Sequence, residues 1–255
     1  MAEQVGMFPL RGSVGNINFF KLGGRYFARG KGGVSADRFA TDPKFQRSRE
    51  SSNEFGAASK AGKLLRTAFL ALGNADKFMA RRLRTAMISV LQADTRSARG
   101  MRSVTTGKVA LLEGFEFNEH GALSHTLITS YISDINRETG EMKISIPAFI
   151  AQEQIKAPAA ATHFKLISGG AELDFENGKF SVVTDSSAEL PLNNVATDEI
   201  ILKNTVQANS THPLFLALGV EFYQELNGSL YRLRDETFNA LAIVKVSNHA
   251  SQSAT

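Results

Sequence analysis

Between residues 55 and 91 the apolar side chains recur at the three-to-four spacing of a helix, and from about Val109 onward they alternate with polar ones. One kind of layer cannot satisfy both periods, so the switch predicts an α+β protein with helices first and strands after. In the helical stretch Ser51 or Ser52 is placed to cap, and Glu54 sits near the positive end. Phe55, Ala58, Leu65, Ala68, Phe69 and Leu72 then share a face, and Gly73-Asn74 is the stop signal. Asp76 opens a second helix with the stripe Phe78, Met79, Leu83, Met87, Val90 and Leu91. The short connection predicts an antiparallel helical hairpin, and with a basic connector from 93 to 108 it makes a segment 51–108.

The alternating part, 109–248, holds short strand candidates. They are Thr126 to Ile132, Met142 to Ile146, His163 to Ile167, Ala171 to Phe175, Phe180 to Val183, Glu199 to Leu202, Leu214 to Tyr223, Leu230 to Leu233 and Ala240 to Val246. Asn177-Gly178 and Asn227-Gly228 are hairpin turns, and Glu138-Thr139-Gly140 is a third. This many strands with frequent turns predict an antiparallel, immunoglobulin-like β-sandwich. The same strands laid over the helices as one α+β body are the other packing. Residues 249–255 are polar and read as a flexible tail.

Residues 1–50 form a basic arm and connector. In the Gly- and aromatic-rich stretch 12–33, Ile17 to Lys21 and Arg25 to Arg29 flank Leu22-Gly23-Gly24, which predicts a β-hairpin. A lone hairpin is marginal in water, so this one is expected to lie on something larger. Residues 34–50, punctuated by Pro43, read as an extended connector.

Charge divides along the chain as well. Residues 1–110 carry 20 Lys and Arg against 7 Asp and Glu, and residues 111–255 carry 9 against 18. The basic residues include Arg11, Lys21, Arg25, Arg29 and Lys31 on the hairpin, Lys60 and Lys63 on the first helix, and Lys77, Arg81 and Arg84 on one face of the second. With Phe19, Phe20, Tyr26 and Phe27 nearby, such a stripe suits either phosphates and stacked bases or an acidic protein surface. No RNP, helix-turn-helix or zinc-finger motif accompanies it.

The 255 residues include no cysteine, which excludes disulfides, thiolate nucleophiles and cysteine–zinc sites. The first ten residues have neither a basic leader nor an apolar run, and no stretch reaches the ~20 apolar residues of a membrane span. Synthesis in the cytoplasm is the expectation, with later incorporation into an extracellular or particle assembly left open. His120, His125, His163, His212 and His249 form no metal-ligand spacing, although His125 and His163 could share a sheet face. There is no G-x-S-x-G elbow. Gly24 to Lys31 falls short of a P-loop, because five residues separate its glycines and Gly32 stands where a hydroxyl should hold Mg²⁺. Carboxylates cluster at Glu113/Glu116/Glu119, at Glu172/Asp174/Glu176 and at Glu221/Glu225. The second set alternates, which fits a solvated strand face, an acidic docking face for a basic partner, or a cation or acid–base pair.

Gly12-Ser-Val-Gly-Asn-Ile-Asn-Phe19, Lys21-x-Gly-Gly-Arg25, Asp42-Pro-Lys-Phe-Gln-Arg-Ser-Arg49 and Gly62-Lys-Leu-Leu-Arg66 resemble an uncharacterised family of Bacteroidota proteins. The similarity continues at Ala93-Asp94-x-x-Ser97-Ala-Arg-Gly100 and at Phe215-Leu-Ala-Leu-Gly219-Val-Glu-Phe-Tyr-Gln224. It implies a lineage and no activity, cofactor or site.

Together these features lead to the expectation of a non-enzymatic structural protein, with no cofactor and no metal. It would assemble with itself head to tail into a filament, tube or phage-tail-like particle. Ile17, Phe19, Phe20, Tyr26 and Phe27 would be the apolar anchors of the interface and Arg25, Arg29 and Lys31 its charges; Glu172, Asp174 and Glu176 would be the acidic docking face. The alternative is a nucleic-acid-binding protein that uses the basic N-terminal third.

Overall fold

The computed structural model describes residues 2–4, 9–233 and 238–248. The expected tail 249–255, with His249, lies outside the described residues. The fold is mixed, helix and antiparallel sheet, and the chain divides into two units, residues 1–49 and 50–255.

The first unit holds a four-stranded antiparallel sheet of order β1-β4-β3-β2. Its strands are β1 (Ala2–Glu3), β2 (Gly12–Val14), β3 (Ile17–Leu22) and β4 (Arg25–Gly30). Gly23 and Gly24, at φ 56° and 85°, supply the left-handed pair that the β3–β4 turn needs. The segment expected to be an extended connector is helical instead: α1 (Ala36–Thr41), a single 3₁₀ turn (Pro43–Phe45), then α2 (Gln46–Ala68). Local start signals explain the difference. Ser35 Oγ accepts the Arg38 N–H at 3.3 Å, Asp42 Oδ1 accepts the Lys44 N–H at 3.0 Å, and Pro43 takes the first helical position. Because the second helix has already begun at Gln46, Ser51 and Ser52 lie inside it and cap nothing.

The second unit is layered. On one side α2 runs against α3 (Met79–Gln92), after Gly73 (φ 78°) closes the 3₁₀ turn Leu70–Leu72. Asp76 Oδ1 accepts the Phe78 N–H at 2.6 Å and sets the entry to α3. In the middle lies a six-stranded sheet, curled into a half-barrel. It is built on β7 (His163–Asp174) and β11 (Leu214–Leu226), with β8 (Lys179–Ser186) and β9 (Leu190–Pro191) beside β7, and β12 (Ser229–Leu233) and β13 (Ala240–Ser247) beside β11. On the far side is a three-stranded sheet of order β10-β6-β5, made of β5 (Ile132–Ile135), β6 (Glu141–Ile146) and β10 (Ile200–Thr205). Two helical turns complete the unit, α4 (Leu123–Thr126) and α5 (Ala151–Gln154).

Alternation along β7 and β11 sorts their side chains between two cores. Ile167, Ala171, Leu173, Phe215 and Ala217 pack with Leu65, Phe69, Leu83, Met87 and Val90 of the helical layer. Phe164, Leu166, Leu214, Leu216, Leu218, Val220 and Phe222 pack with Met142, Ile144, Ile146 and Leu202 of the small sheet. Central strands covered on both faces read as continuous apolar runs, as Leu214–Val220 does. The pairing does not confirm an immunoglobulin-like sandwich, since the larger sheet carries helices on its second face. It is the α+β body with strands over the helices.

Two strand expectations change. Residues 163–167 and 171–174 belong to one continuous strand through Ser168-Gly169-Gly170, and Phe175 falls in the turn that follows. A Cβ at Gly169 would meet Leu72 Cδ1 at 2.8 Å, and one at Gly170 would meet Asn204 Cβ at 2.7 Å, so the glycines admit a layer on each face rather than break the strand. Of residues 126–132 only Ile132 lies in a strand, as the first residue of β5. Leu123 and Leu127 are both buried at helical spacing, and the Glu116 carboxylate accepts the Leu123 N–H at 3.0 Å, which nucleates α4. His125 therefore lies on a helical turn and shares no sheet face with His163.

Candidate functional site

The sheet of residues 2–30 sets the predicted interface residues on two opposite faces. Cross-strand partners share a face. Phe20 opposes Phe27, Leu22 opposes Arg25, and Asn18 opposes Arg29 on the first; Phe19 opposes Ala28, Lys21 opposes Tyr26, and Ile17 opposes Gly30 on the second. Phe20 and Phe27 stack at 5.9 Å between centroids, and the Arg29 guanidinium lies 5.3 Å over the Phe20 ring. Lys21 Nζ is 5.3 Å over Tyr26. Arg25 Nε is 3.9 Å from Glu3 Oε1, a loose and exposed pair. Lys31 extends the hairpin through its N–H to Asn16 O at 2.7 Å.

No described residue between 2 and 49 is buried: Ile17 is 45 % exposed, and Phe19, Phe20, Tyr26 and Phe27 are only half-buried. A sheet ordinarily hides at least one face. This one leaves aromatic rings with cations seated on them along both.

Structural roles take up two of the acidic trio. Glu172 is buried, and its Oε1 accepts the Ser210 hydroxyl at 2.5 Å. Asp174 holds the hairpin turn by accepting the Glu176 and Asn177 N–H groups, each at 3.0 Å; those bonds, led by the one from the Asn177 backbone, draw its carboxyl below the usual range. Glu176 lies past the end of β7, exposed in the turn. The alternation read from sequence stops with the strand, so the three do not form one acidic face.

Comparison with protein-family models, with curated proteins and with solved structures finds no match for this chain. Function must be read from the residues themselves.

Among the described residues no group of three His, Asp or Glu side chains stands in position to hold a metal ion. Polar clusters in the second unit tie segments together. Glu221 pairs with Arg232 at 2.6 Å and accepts the Tyr223 hydroxyl at 2.9 Å, while Arg232 also donates to Asn74 Oδ1 at 2.9 Å. Arg137 donates to the Ser210 and His212 carbonyls, both at 2.7 Å, and to Ser247 O at 3.0 Å. Asp94 accepts from the Thr106 hydroxyl at 2.5 Å and from the Arg96 and Ser97 N–H groups. Burial raises Glu116, whose carboxylate caps α4. Arg96, Thr105, Asp174, Glu176 and His212 line an open cleft of about 760 Å³, where the Asp174 carboxylate is already engaged by the turn. No described helix is long and apolar enough to cross a membrane.

The outer seam of the helical layer was only half legible in the sequence. Its spacing put Lys77, Arg81 and Arg84 on one face, and the structure sets Arg84 across from Lys63 and Arg66 in a shared groove.

Proposed function

We propose that the chain is a structural subunit that assembles head to tail with copies of itself through its N-terminal sheet. What carries this reading is a folded four-stranded sheet with no buried residue among those described and aromatic rings on both faces. The half-buried rings of Phe19, Phe20, Tyr26 and Phe27 have roughly half of ~1.5–3 kcal/mol each still to gain from burial. That total, about 3–6 kcal/mol, only reaches the lower end of the ~4–15 kcal/mol needed to hold two bodies together. Apolar contact alone is thus insufficient, and backbone pairing with a strand edge of the neighbour is the natural supplement. β8 and β12 are edge strands of the six-stranded sheet and mostly exposed. Charge supports the same partner: the sheet carries Arg11, Lys21, Arg25, Arg29 and Lys31, and residues 111–255 are net acidic. A contact of one patch with a different patch repeats without closing unless rotation makes a ring, so filaments or tubes follow.

Multi-angle light scattering tests this. The full chain is expected to run well above its 27.7 kDa mass, and Phe20→Ser/Phe27→Ser or deletion of residues 1–33 to run as a folded monomer. A monomeric full chain, or a deletion that assembles equally well, would sink the reading.

A further inference from the structure

The outer seam between α2 and α3 holds two adjoining depressions of about 180 and 220 Å³ that share Arg66 and Ala80. Lys63, Arg66 and Arg84 converge on the first, over Ser59 and Gly62. Gly62 makes the approach close: a Cβ there would sit 3.6 Å from Leu83 Cγ. Lys77 borders the second, beside Leu70 and Gly73.

The cations here differ from three others in the same layer, Arg82, Arg99 and Arg102. Arg82 is held by Asp76 at 2.7 Å and Glu119 at 3.4 Å, and Arg99 and Arg102 lie 3.8 and 3.7 Å from Glu50 and Glu54. The side-chain cations of Lys63 and Arg66 have no hydrogen bond or ion pair among the described residues, and those of Arg84 and Lys77 have only aromatic rings beneath them. No carboxylate lines the first depression. The one in the second, Asp76, has a side chain 3 % exposed and is committed to Arg82. Several like charges brought together without counter-charge create a field that an external anion relieves.

The chemistry of the rims narrows the anion. Phe55 is 49 % exposed, with the Arg84 guanidinium 5.1 Å over its ring, and Phe78 is 53 % exposed, with Lys77 Nζ at 5.0 Å. From Phe55 to Arg66 the helix advances about 16 Å. Rings flanking a cationic track are what unpaired bases stack on while their phosphates follow the charges; a duplex hides its base faces, and a lipid surface has none.

We propose that this seam is a binding track for single-stranded nucleic acid, with Lys63, Arg66, Arg84 and Lys77 on the phosphates and Phe55 and Phe78 stacking on bases. It is independent of the N-terminal sheet.

Fluorescence anisotropy of the full chain with a labelled oligothymidylate of about twelve residues is the test. Binding is expected at about 50 mM salt and should weaken steeply by about 200 mM, and a peptide nucleic acid of the same sequence should not bind. Lys63→Glu/Arg66→Glu should weaken binding at least about tenfold. Phe55→Ala should weaken it about fivefold or more. The exposed pair Lys156→Glu/Lys179→Glu, on the strand side, removes as much charge and should leave affinity within about twofold, because its charges lie off the track. Thermal melts followed by circular dichroism check that each variant folds. Phe20→Ser/Phe27→Ser should retain binding whatever becomes of assembly. The proposal is overturned by no binding at low salt, by equal losses in the two charge-reversal pairs, by loss in the Phe20/Phe27 variant, or by capture of phosphatidylserine vesicles in place of the oligonucleotide.

Discussion

Asp94 shows how far a single carboxylate can organise a loop. The Thr106 hydroxyl, then Ser97 and the backbone N–H groups beside it, hold its carboxyl well below the usual carboxylate range. A group more acidic when folded than when unfolded adds stability at all pH above its unfolded value, and loses it as the pH falls through the folded one. Asp94→Asn should therefore destabilise by about 1–3 kcal/mol at neutral pH, measured by urea unfolding, with the gap from wild type closing in strong acid. Tyr223 works in the other direction. Burial, then its hydrogen bond to Glu221, pushes the phenol up to about 12 from 10.0. The folded chain keeps that proton after the unfolded chain has released it, so its contribution is complete below pH 10.0 and is lost as the pH rises toward about 12. Burial also raises the Tyr131 phenol, so an ultraviolet titration should show two tyrosines ionising late, and Glu221→Gln should bring Tyr223 earlier. Neither role was legible beforehand. Asn74 is a similar case: in sequence it belongs to a helix stop signal, yet its amide donates to the carbonyls of Val220 and Ala240, 146 and 166 residues away.

Among the elements, β7 carries the most instructive mismatch. Two glycines in mid-strand look like a break, and they are the thinnest part of a strand clamped between layers. At Gly169 the nearest atom is the end of a Leu72 side chain, which can turn away, whereas at Gly170 it is Asn204 Cβ, fixed to the partner sheet. Gly170→Ala is accordingly expected to cost roughly 1–3 kcal/mol and Gly169→Ala less, read from chemical denaturation midpoints. Helices were easier to see than strands, because Leu65, Leu83, Met87 and Val90 lie on one face with period 3.6 whatever they pack against. Their starts were less visible: Asp42-Pro43 is a stronger start signal than Ser51 or Ser52, and a rule applied from the apolar stripe alone placed the beginning of α2 too late.

At the level of the molecule, both apolar clusters lie within residues 50–255, and the described residues of the first unit form no counterpart. Protection from hydrogen exchange should follow that division. Amides of β3 and β4 are expected to exchange orders of magnitude faster than those of β7 and β11 in the isolated chain, and to slow on assembly. Exchange in β3 as slow as in β11 at monomer concentrations would contradict it. The sequence by itself determined the order of helix and strand, the hairpin turns at Asn177-Gly178 and Asn227-Gly228, and the opposition of charge between the chain's two parts. These depend on neighbours in the chain, on residue geometry and on composition. Only the tertiary structure decided that β7 is one strand, that the central sheet is covered on both faces, that Glu172 is buried on Ser210 rather than offered to a partner, and that Lys63 meets Arg84 across a seam. Each of those depends on which distant surfaces are pressed together, and packing of that range leaves no periodic mark along the chain.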